Sequence, residues 1–397
     1  MFRGDLTNFE QHFLFSNRLV ALVIGLHPNR NLNNQLFLVC LVTIYLFPII
    51  VHQLCHLTML KLNLQSSVKL LHKLFVTLLL VLTYTTTYFS FITMKKIFAR
   101  IKCDYLQFAD EKLLNIIEKY TIQSQLHTFI IVSFFSLYFI SMTFPSILSV
   151  LLYIFGALDD NQLLLPFTEN DGLFVGALYY NLLIYQLIGA IILLMIGSSC
   201  YSIYLVCVQH ACCQLSLIIF KIREQFKMNQ KHTKTNRNSK THLDEFDWMI
   251  DIIKHYKNVT EFVQLMNCFS EITYLIAVFF ATILIVFDFL YMYQLSEILH
   301  SLMETFGCSI NIFVSILILY LNFYIGQNLL NHSEEVFDEL CKIPFYNLSM
   351  ESQKLLLFMI MRSMKPCMLS IGKMCVSSNK IFAGVRSFIL LVFNASR

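Results

Sequence analysis

Charge is what this sequence has least of. Only 14% of its 397 residues are Asp, Glu, Lys or Arg, against roughly a quarter in an ordinary soluble domain. A water-soluble fold of this length could not clothe its surface with so few charges, so much of the surface must meet lipid. Ordered cysteine spacing is missing as well. The twelve Cys include no CxxC pair and no regular spacing, which sets aside zinc and disulfide scaffolds. No secretory signal peptide opens the chain, because MFRGDLTNFEQ puts Asp5 and Glu10 ahead of any long apolar run. The first apolar span is therefore expected to act as the insertion signal. The net charge of +4 is too small to point to nucleic acid. Inverted repeats and paired Gly/Pro breaks, the marks of many secondary transporters, are not visible. Clustered cytoplasmic histidines, which a membrane di-iron enzyme needs, are missing too. The soluble parts are too short and irregular for an enzyme, and no cofactor is expected.

What remains is apolar: 57% of the residues, with a mean hydropathy of +0.63. Seven segments stand out, at Leu36 to Leu54, Leu71 to Ile92, His127 to Phe155, Leu173 to Val206, Cys268 to Tyr291, Phe306 to Ile325, and a short Ile381 to Phe393. Lipid cannot satisfy backbone polar groups, so each must be a helix unless the chain closes a barrel, and barrel-type alternation is absent. The expected fold is all-α, a polytopic membrane protein of seven transmembrane helices.

Basic residues alternate with acidic ones from connection to connection. After the second span come Lys95, Lys96, Arg100, Lys102, Lys112 and Lys119, and after the fourth come nine Lys and Arg between Lys221 and Lys257. After the sixth come Lys342, Lys354, Arg362, Lys365, Lys373 and Lys380. The third connection carries Asp159, Asp160, Glu169 and Asp171, and the fifth carries Asp288, Glu297 and Glu304, with no basic residue in either. By the positive-inside rule the even connections are cytoplasmic, with the N-terminus inside and the C-terminus outside. A G-protein-coupled receptor has the reverse orientation.

Residues 227–242, KMNQKHTKTNRNSKTH, read as a disordered basic loop. Such a segment can attract anionic lipid, although a plain solvated loop accounts for it. A helix resumes at Leu243, with Phe246, Met249, Ile250 and Ile253 on one face. Beyond the sixth span, Asn331 to Leu340 is amphipathic with an acidic face until Pro344 breaks it. Leu348 to Leu369 follows as a helix with Leu355, Leu356, Met359, Ile360 and Met364 among charges, expected to pack on protein rather than cross the bilayer.

Chemistry-bearing residues are few. His52 and His56, four apart, could hold a metal but lack further ligands, so no metal site is expected. Cys207, Cys212 and Cys213 sit where palmitoylation occurs, or are simply buried. Cys55 and Cys308 are near the outer face, where a disulfide is conceivable. Of ionisable residues inside spans, which usually mark transport or proton paths, only Glu271 and Arg386 qualify. The outer halves of the spans gather Tyr138, Met142 and Phe144, then Phe174, Tyr179, Tyr180 and Ile184, then Phe306, Ile310 and Phe313. Singly each is ordinary packing; together they make an expected apolar small-molecule pocket with a few hydroxyls.

The C-terminal third, residues 326–385, resembles the insect odorant receptor family. The resemblance rests on a Ser333 turn after the sixth span, the pair Pro344 and Phe345, the run MIMRSMKP ending at Pro366, and Ser377 to Phe382 before the last helix. NRLVALVIGLHP (Asn17 to Pro28) and DYLQFADEKLLNIIEKY (Asp104 to Tyr120) look like the same family's opening and inner helices, with a flavour close to the expansions in ants, bees and wasps. The Thr-Tyr and Gln-Phe signature of the related gustatory receptors is lacking. The resemblance implies a volatile-ligand-gated, non-selective cation channel subunit that sets tuning in a tetramer with a shared coreceptor. Its ligand would bind in the outer leaflet, and it would sit in a sensory neuron membrane. It implies three regions: a ligand-binding bundle over 1–330, a cytoplasmic anchor over 331–380 assembling through Leu355, Leu356, Met359 and Ile360, and a pore helix over 381–397. The chain ends SFILLVFNASR, with Leu390, Leu391 and Val392 where the family has aromatics and hydroxyls. Val392, Asn394 and Ala395 are the expected pore-facing residues. A metabotropic seven-helix receptor and, below it, a transporter are the competing readings.

Overall fold

A backbone surrounded by lipid must bond to itself, and the chain does so almost entirely as helix. The computed structural model describes residues 32–59, 64–107, 111–159, 162–168, 176–232, 240–294 and 302–395; the expected opening helix at Asn17 to Pro28 and the pocket candidate Phe174 lie outside them. The helices are α1 (Leu32–Met59), α2 (Leu64–Phe89), α3 (Phe91–Gln107), α4 (Glu111–Ile154), α5 (Ala177–His232), α6 (Lys240–Gln294), α7 (Leu302–Cys341), α8 (Met350–Ser363) and α9 (Asn379–Ala395). Among the described residues, six helices are long and apolar enough to cross a membrane: α1, α2 and α4 to α7. The seventh expected span is α9, 17 residues long, which rises about 25 Å.

Several helices far outrun a bilayer. With 56 residues in α5 and 55 in α6, each is about 80 Å long, against an apolar slab of about 30 Å. Residues 227–232 and 240–242, expected in a disordered loop, continue α5 and open α6; local polarity lost to helix propagation from the packed neighbouring turns. The basic stretch after the second span is likewise helical, as α3.

The core runs along α5, where Leu205, Val208, Ala211, Leu215 and Ile218 are all buried. The bundle has two ends. At one, α2 begins, α4 ends, and the connector 162–168 lies across the helices. At the other, the long extensions are bound by polar contacts: Arg223 to Glu335 and Glu339 at 2.8 and 2.9 Å, and Lys221 to Asp251 at 2.8 Å. Tyr120 bonds both Ser216 and His332 there at 2.6 Å.

The C-terminal third wraps this second end. Ser333 is not in a turn; it is buried inside α7, and its hydroxyl accepts the Cys367 amide at 2.8 Å. Burial pushes the Cys367 thiol up from its ordinary pKa, so it stays a packing group. The helix expected over Leu348 to Leu369 is shorter: α8 begins at a Ser349 cap that accepts the Ser352 amide, and it ends at Ser363. The chain then makes a small hairpin, Ser370–Ile371 paired with Cys375–Val376. Its turn needs positive φ at Gly372 (57°) and Lys373 (60°). Gly372 lies against α6, with its amide on the Glu271 carbonyl at 3.2 Å and Leu275 where a side chain would go. Glu271, read as a lone ionisable residue in a span, meets Lys373 at 3.5 Å.

Candidate functional site

Midway along the bundle, α2, α4, α5, α6 and α7 enclose a cavity of about 160 Å³. Leu80, Phe135, Phe139, Tyr201 and Phe269 supply its apolar walls, while Thr83, Thr87, Ser270, Thr273, Ser315 and Asn322 add polar atoms. Most of these hydroxyls are already committed as donors. Thr83 donates to the Leu80 carbonyl at 2.9 Å, Thr87 to Thr83 at 2.7 Å, and Ser270 to Met266 at 2.9 Å. Their oxygens therefore face the cavity chiefly as acceptors. The buried Tyr201 hydroxyl has no hydrogen-bond partner among the described residues, so it is a donor left for a ligand oxygen.

A second cavity, of about 350 Å³, opens at the end of the bundle where the connector lies. Its rim is charged. Lys69 pairs with Glu304 at 3.1 Å, and Tyr291 donates to the same carboxylate at 2.9 Å. Ser141 on α4 bonds Asn311 on α7. The connector 162–168 is fixed by side chains from four helices, including Gln53 on α1, which donates to the Phe167 carbonyl at 3.4 Å. Ser149 accepts the Leu164 amide at 3.1 Å, Gln186 accepts the Phe167 amide at 2.9 Å, and Lys73 donates to the Leu165 carbonyl at 3.3 Å. Pro145 sits within the continuous helix α4 beside this cavity.

One polar chain separates the two spaces. Tyr138 lines the first cavity, and its hydroxyl is 2.9 Å from His72 Nε2. The same nitrogen is 3.2 Å from Asp288 Oδ1, and both His72 and Asp288 line the second cavity. Asp288 was expected in a connection; it is a buried residue of α6, only 3% exposed. His72 and Asp288 are the functional candidates that sequence reasoning missed. The signal was available, since an ionisable residue inside an apolar run reads as functional by default.

The first cavity also reaches the segment that leads into the last helix. Tyr274, on its wall, shares a 2.7 Å hydrogen bond with Ser377, two residues before α9 begins. Ser377 also donates to the carbonyl of Asn322, another wall residue, at 3.5 Å. Asn379, the first residue of α9, donates its amide to Gln327 on α7 at 3.1 Å.

Of the expected pocket residues, Tyr138 lines the first cavity and Met142 the second. Tyr179 is fully buried in a small cluster with Leu163 and Leu165, and its hydroxyl donates to the Leu164 carbonyl at 2.9 Å. Ile310 is partly buried against the core. Phe144, Tyr180, Ile184, Phe306 and Phe313 are exposed on the outside of the bundle, where lipid rather than a ligand would meet them.

The family model described as 7tm odorant receptor matches residues 67–388. The chain belongs to the odorant receptor family. Two solved structures share its fold: the insect olfactory receptor OR5 from Machilis hrabei, and the same receptor in complex with eugenol. In both, TM-score is 0.70 and identity 11%, over 97% of this chain and 98% of theirs. No curated protein matches the sequence. This odorant receptor is thus a multi-pass membrane protein of a family of receptors rather than enzymes.

In this receptor the cysteines are all separate thiols. Cys207, Cys212 and Cys213 are buried, closed to acylation, and Cys308 donates its S–H to the Asp288 carbonyl at 3.3 Å while Cys55 is exposed. His52 and His56 meet ring to ring at 5.2 Å, and among the described residues no group of three or more metal-ligating side chains forms. On α8, Leu356 and Met359 face the receptor's own core, Leu355 and Ile360 are half-buried, and Leu357, Phe358 and Met361 point outward. On α9, Val392 is half-buried and Asn394 exposed; the side chain of Ala395 lies outside the described residues.

Proposed function

We propose that this receptor is a volatile-ligand-gated, non-selective cation channel subunit, setting ligand tuning in a tetramer with a shared coreceptor in a sensory neuron membrane. The observation that carries this is the direct path from cavity to last helix through Tyr274, Asn322 and Ser377. A ligand that reshapes the cavity wall moves Ser377, two residues ahead of α9. Gating then needs only that ligand bind the open arrangement more tightly than the closed one.

The ligand fits the first cavity. An apolar molecule there gains about 25 cal/mol per Å² buried, and the Tyr201 hydroxyl favours one carrying an acceptor oxygen. Discrimination by shape would be on the order of 1 to 3 kcal/mol per methylene.

Orientation follows from the loop charges: N-terminus cytoplasmic, C-terminus extracellular, with both cavities in the outer half of the membrane. Residues 331–380 then form a cytoplasmic anchor and 381–397 the pore helix. Within the anchor, assembly falls to the outward residues Leu357, Phe358 and Met361 rather than to Leu356 and Met359. Along α9 the face turned away from the bundle carries Lys380, Ala383, Ser387 and Asn394. Val392, Asn394 and Ala395 stay the proposed pore-facing residues, and the exposure of Asn394 on that face supports it best.

Two-electrode recording in oocytes tests the reading, with this chain alone, an insect coreceptor alone, and both, across an odorant panel. Inward current only with both subunits and only with certain odorants is the expected result. Saturable solute uptake without current, or signalling that persists without ion flux, would overturn it.

A further inference from the structure

The second cavity has features that the channel reading does not use. Asp288 lines it, and the carboxylate is spent only on one side: Oδ1 meets His72, whereas Oδ2 is buried with no hydrogen-bond partner among the described residues. A buried carboxyl oxygen left without a partner is expensive to keep. Gly307, on α7, lines the same cavity, and a side chain there would meet nothing within 4 Å. Glycine inside a helix is a poor choice for stability, and here neither close packing nor backbone conformation calls for it. Its effect is to leave room beside Asp288.

The charges around the space indicate what would enter. Lys69 and Glu304 neutralise one another at 3.1 Å, and buried Lys73 is a cation on the same wall as Asp288. The cavity therefore has no net charge for an ion to balance, and the unmet need is for a hydrogen-bond donor. We infer that this outer cavity is a second binding site, distinct from the odorant cavity. It takes small neutral molecules bearing a hydroxyl, which donates to Asp288 while the apolar body lies along Met142, Leu163 and the space beside Gly307. Tyr138, bonded to His72, makes one wall of the inner cavity, so occupancy of the outer site borders the inner one through a single hydrogen-bonded chain. The inference concerns binding alone and does not depend on the chain conducting ions.

The test is ligand-induced thermal stabilisation of the purified full chain in detergent, with 2-phenylethanol and its methyl ether as probes. They share an apolar body and differ in the donor hydrogen; partition into detergent affects every variant alike. For the unaltered chain the alcohol should stabilise at a concentration about tenfold lower than the ether, the worth of one buried hydrogen bond. Asp288→Asn should bring the two probes to within about twofold of each other. Gly307→Leu adds atoms to open space on a helix, so it should leave the unliganded melting temperature at or above its starting value and abolish stabilisation by both probes. That variant carries the test if Asp288→Asn does not fold. Equal half-saturating concentrations for alcohol and ether in the unaltered chain would overturn the site. So would an alcohol preference that survives Gly307→Leu.

Discussion

Gly307 and Gly326 lie on the same helix and face opposite situations. Beside Gly307 is open space, whereas a side chain on Gly326 would strike Ser377, including its backbone oxygen at 2.8 Å. Ser377 cannot retreat, because it is buried and held by Tyr274 and Asn322. Gly326→Ala should therefore cost about 1–3 kcal/mol through forced overpacking, seen as a lower melting temperature of the purified chain. An unchanged melting temperature would mean that the junction of α7 with α9 is looser than it looks. Tyr274→Phe is the gentler probe of that junction. It keeps the ring in the cavity wall and removes one hydrogen bond, worth about 1 kcal/mol. The expected outcome is an efficacy change of about fivefold in oocyte currents with the order of preferred odorants unchanged. A reordered odorant profile at full efficacy would instead make Tyr274 a ligand contact and nothing more. At this scale the sequence was legible in part. Tyr138 and Met142 stand out in the sequence only as aromatic and flexible side chains in the outer half of a span just before Pro145. Phe144, Tyr180, Ile184, Phe306 and Phe313 could not be told from them. In lipid both faces of a helix are apolar, so the period-3.6 contrast that marks the inner face of a soluble helix is lost.

Helices were easier to read than their facing, and α8 shows why. Its existence follows from the spacing of Leu355, Leu356, Met359 and Ile360, but the expected bounds, Leu348 to Leu369, are too wide: it starts after the Ser349 cap and ends at Ser363. Which side packs inward is decided by contacts with α6 and α7 from distant parts of the sequence. Leu356 and Met359 won that side, at 2% and 1% exposed, leaving Phe358 at 60% and Met361 at 64%. So large an apolar face outside a protein marks an interaction surface. Two variants separate the roles of the faces. Phe358→Glu should leave the subunit folded and disrupt tetramers, read as a shift to smaller species in native gels of the complex. Leu356→Glu should lower the yield of folded subunit itself, since it buries an unpaired charge at a cost of several kcal/mol. Intact tetramers in Phe358→Glu would move the assembly surface elsewhere. The hairpin at Ser370–Val376 was not legible, because two-residue strands carry no periodicity.

Over the whole molecule, the alternation of basic and acidic connections did more than any single motif. Positive loops resist translocation, and the bias is additive over the Lys and Arg close to each span. Here the three largest basic clusters fall on the same side as the long helical extensions, with Lys69 and Lys73 at the opposite end. α3, the distal ends of α5 and α7, and the hairpin should therefore share one aqueous compartment, the cytoplasm, with the two cavities on the far side of the membrane from it. The receptor carries its own reporters of this arrangement. Cys103 on α3, Cys341 at the end of α7 and Cys375 in the hairpin are exposed thiols, while Cys55 is exposed near the opposite end of α1. A membrane-impermeant maleimide applied to intact cells should label Cys55 and spare the other three, and permeabilisation should add them. Single Cys→Ser variants assign each signal, and the buried Cys207, Cys212 and Cys213 should stay silent throughout. Labelling of Cys103, Cys341 and Cys375 on intact cells would invert the receptor. It would turn the two cavities to the cytoplasm, where an airborne ligand could reach them only after crossing the bilayer.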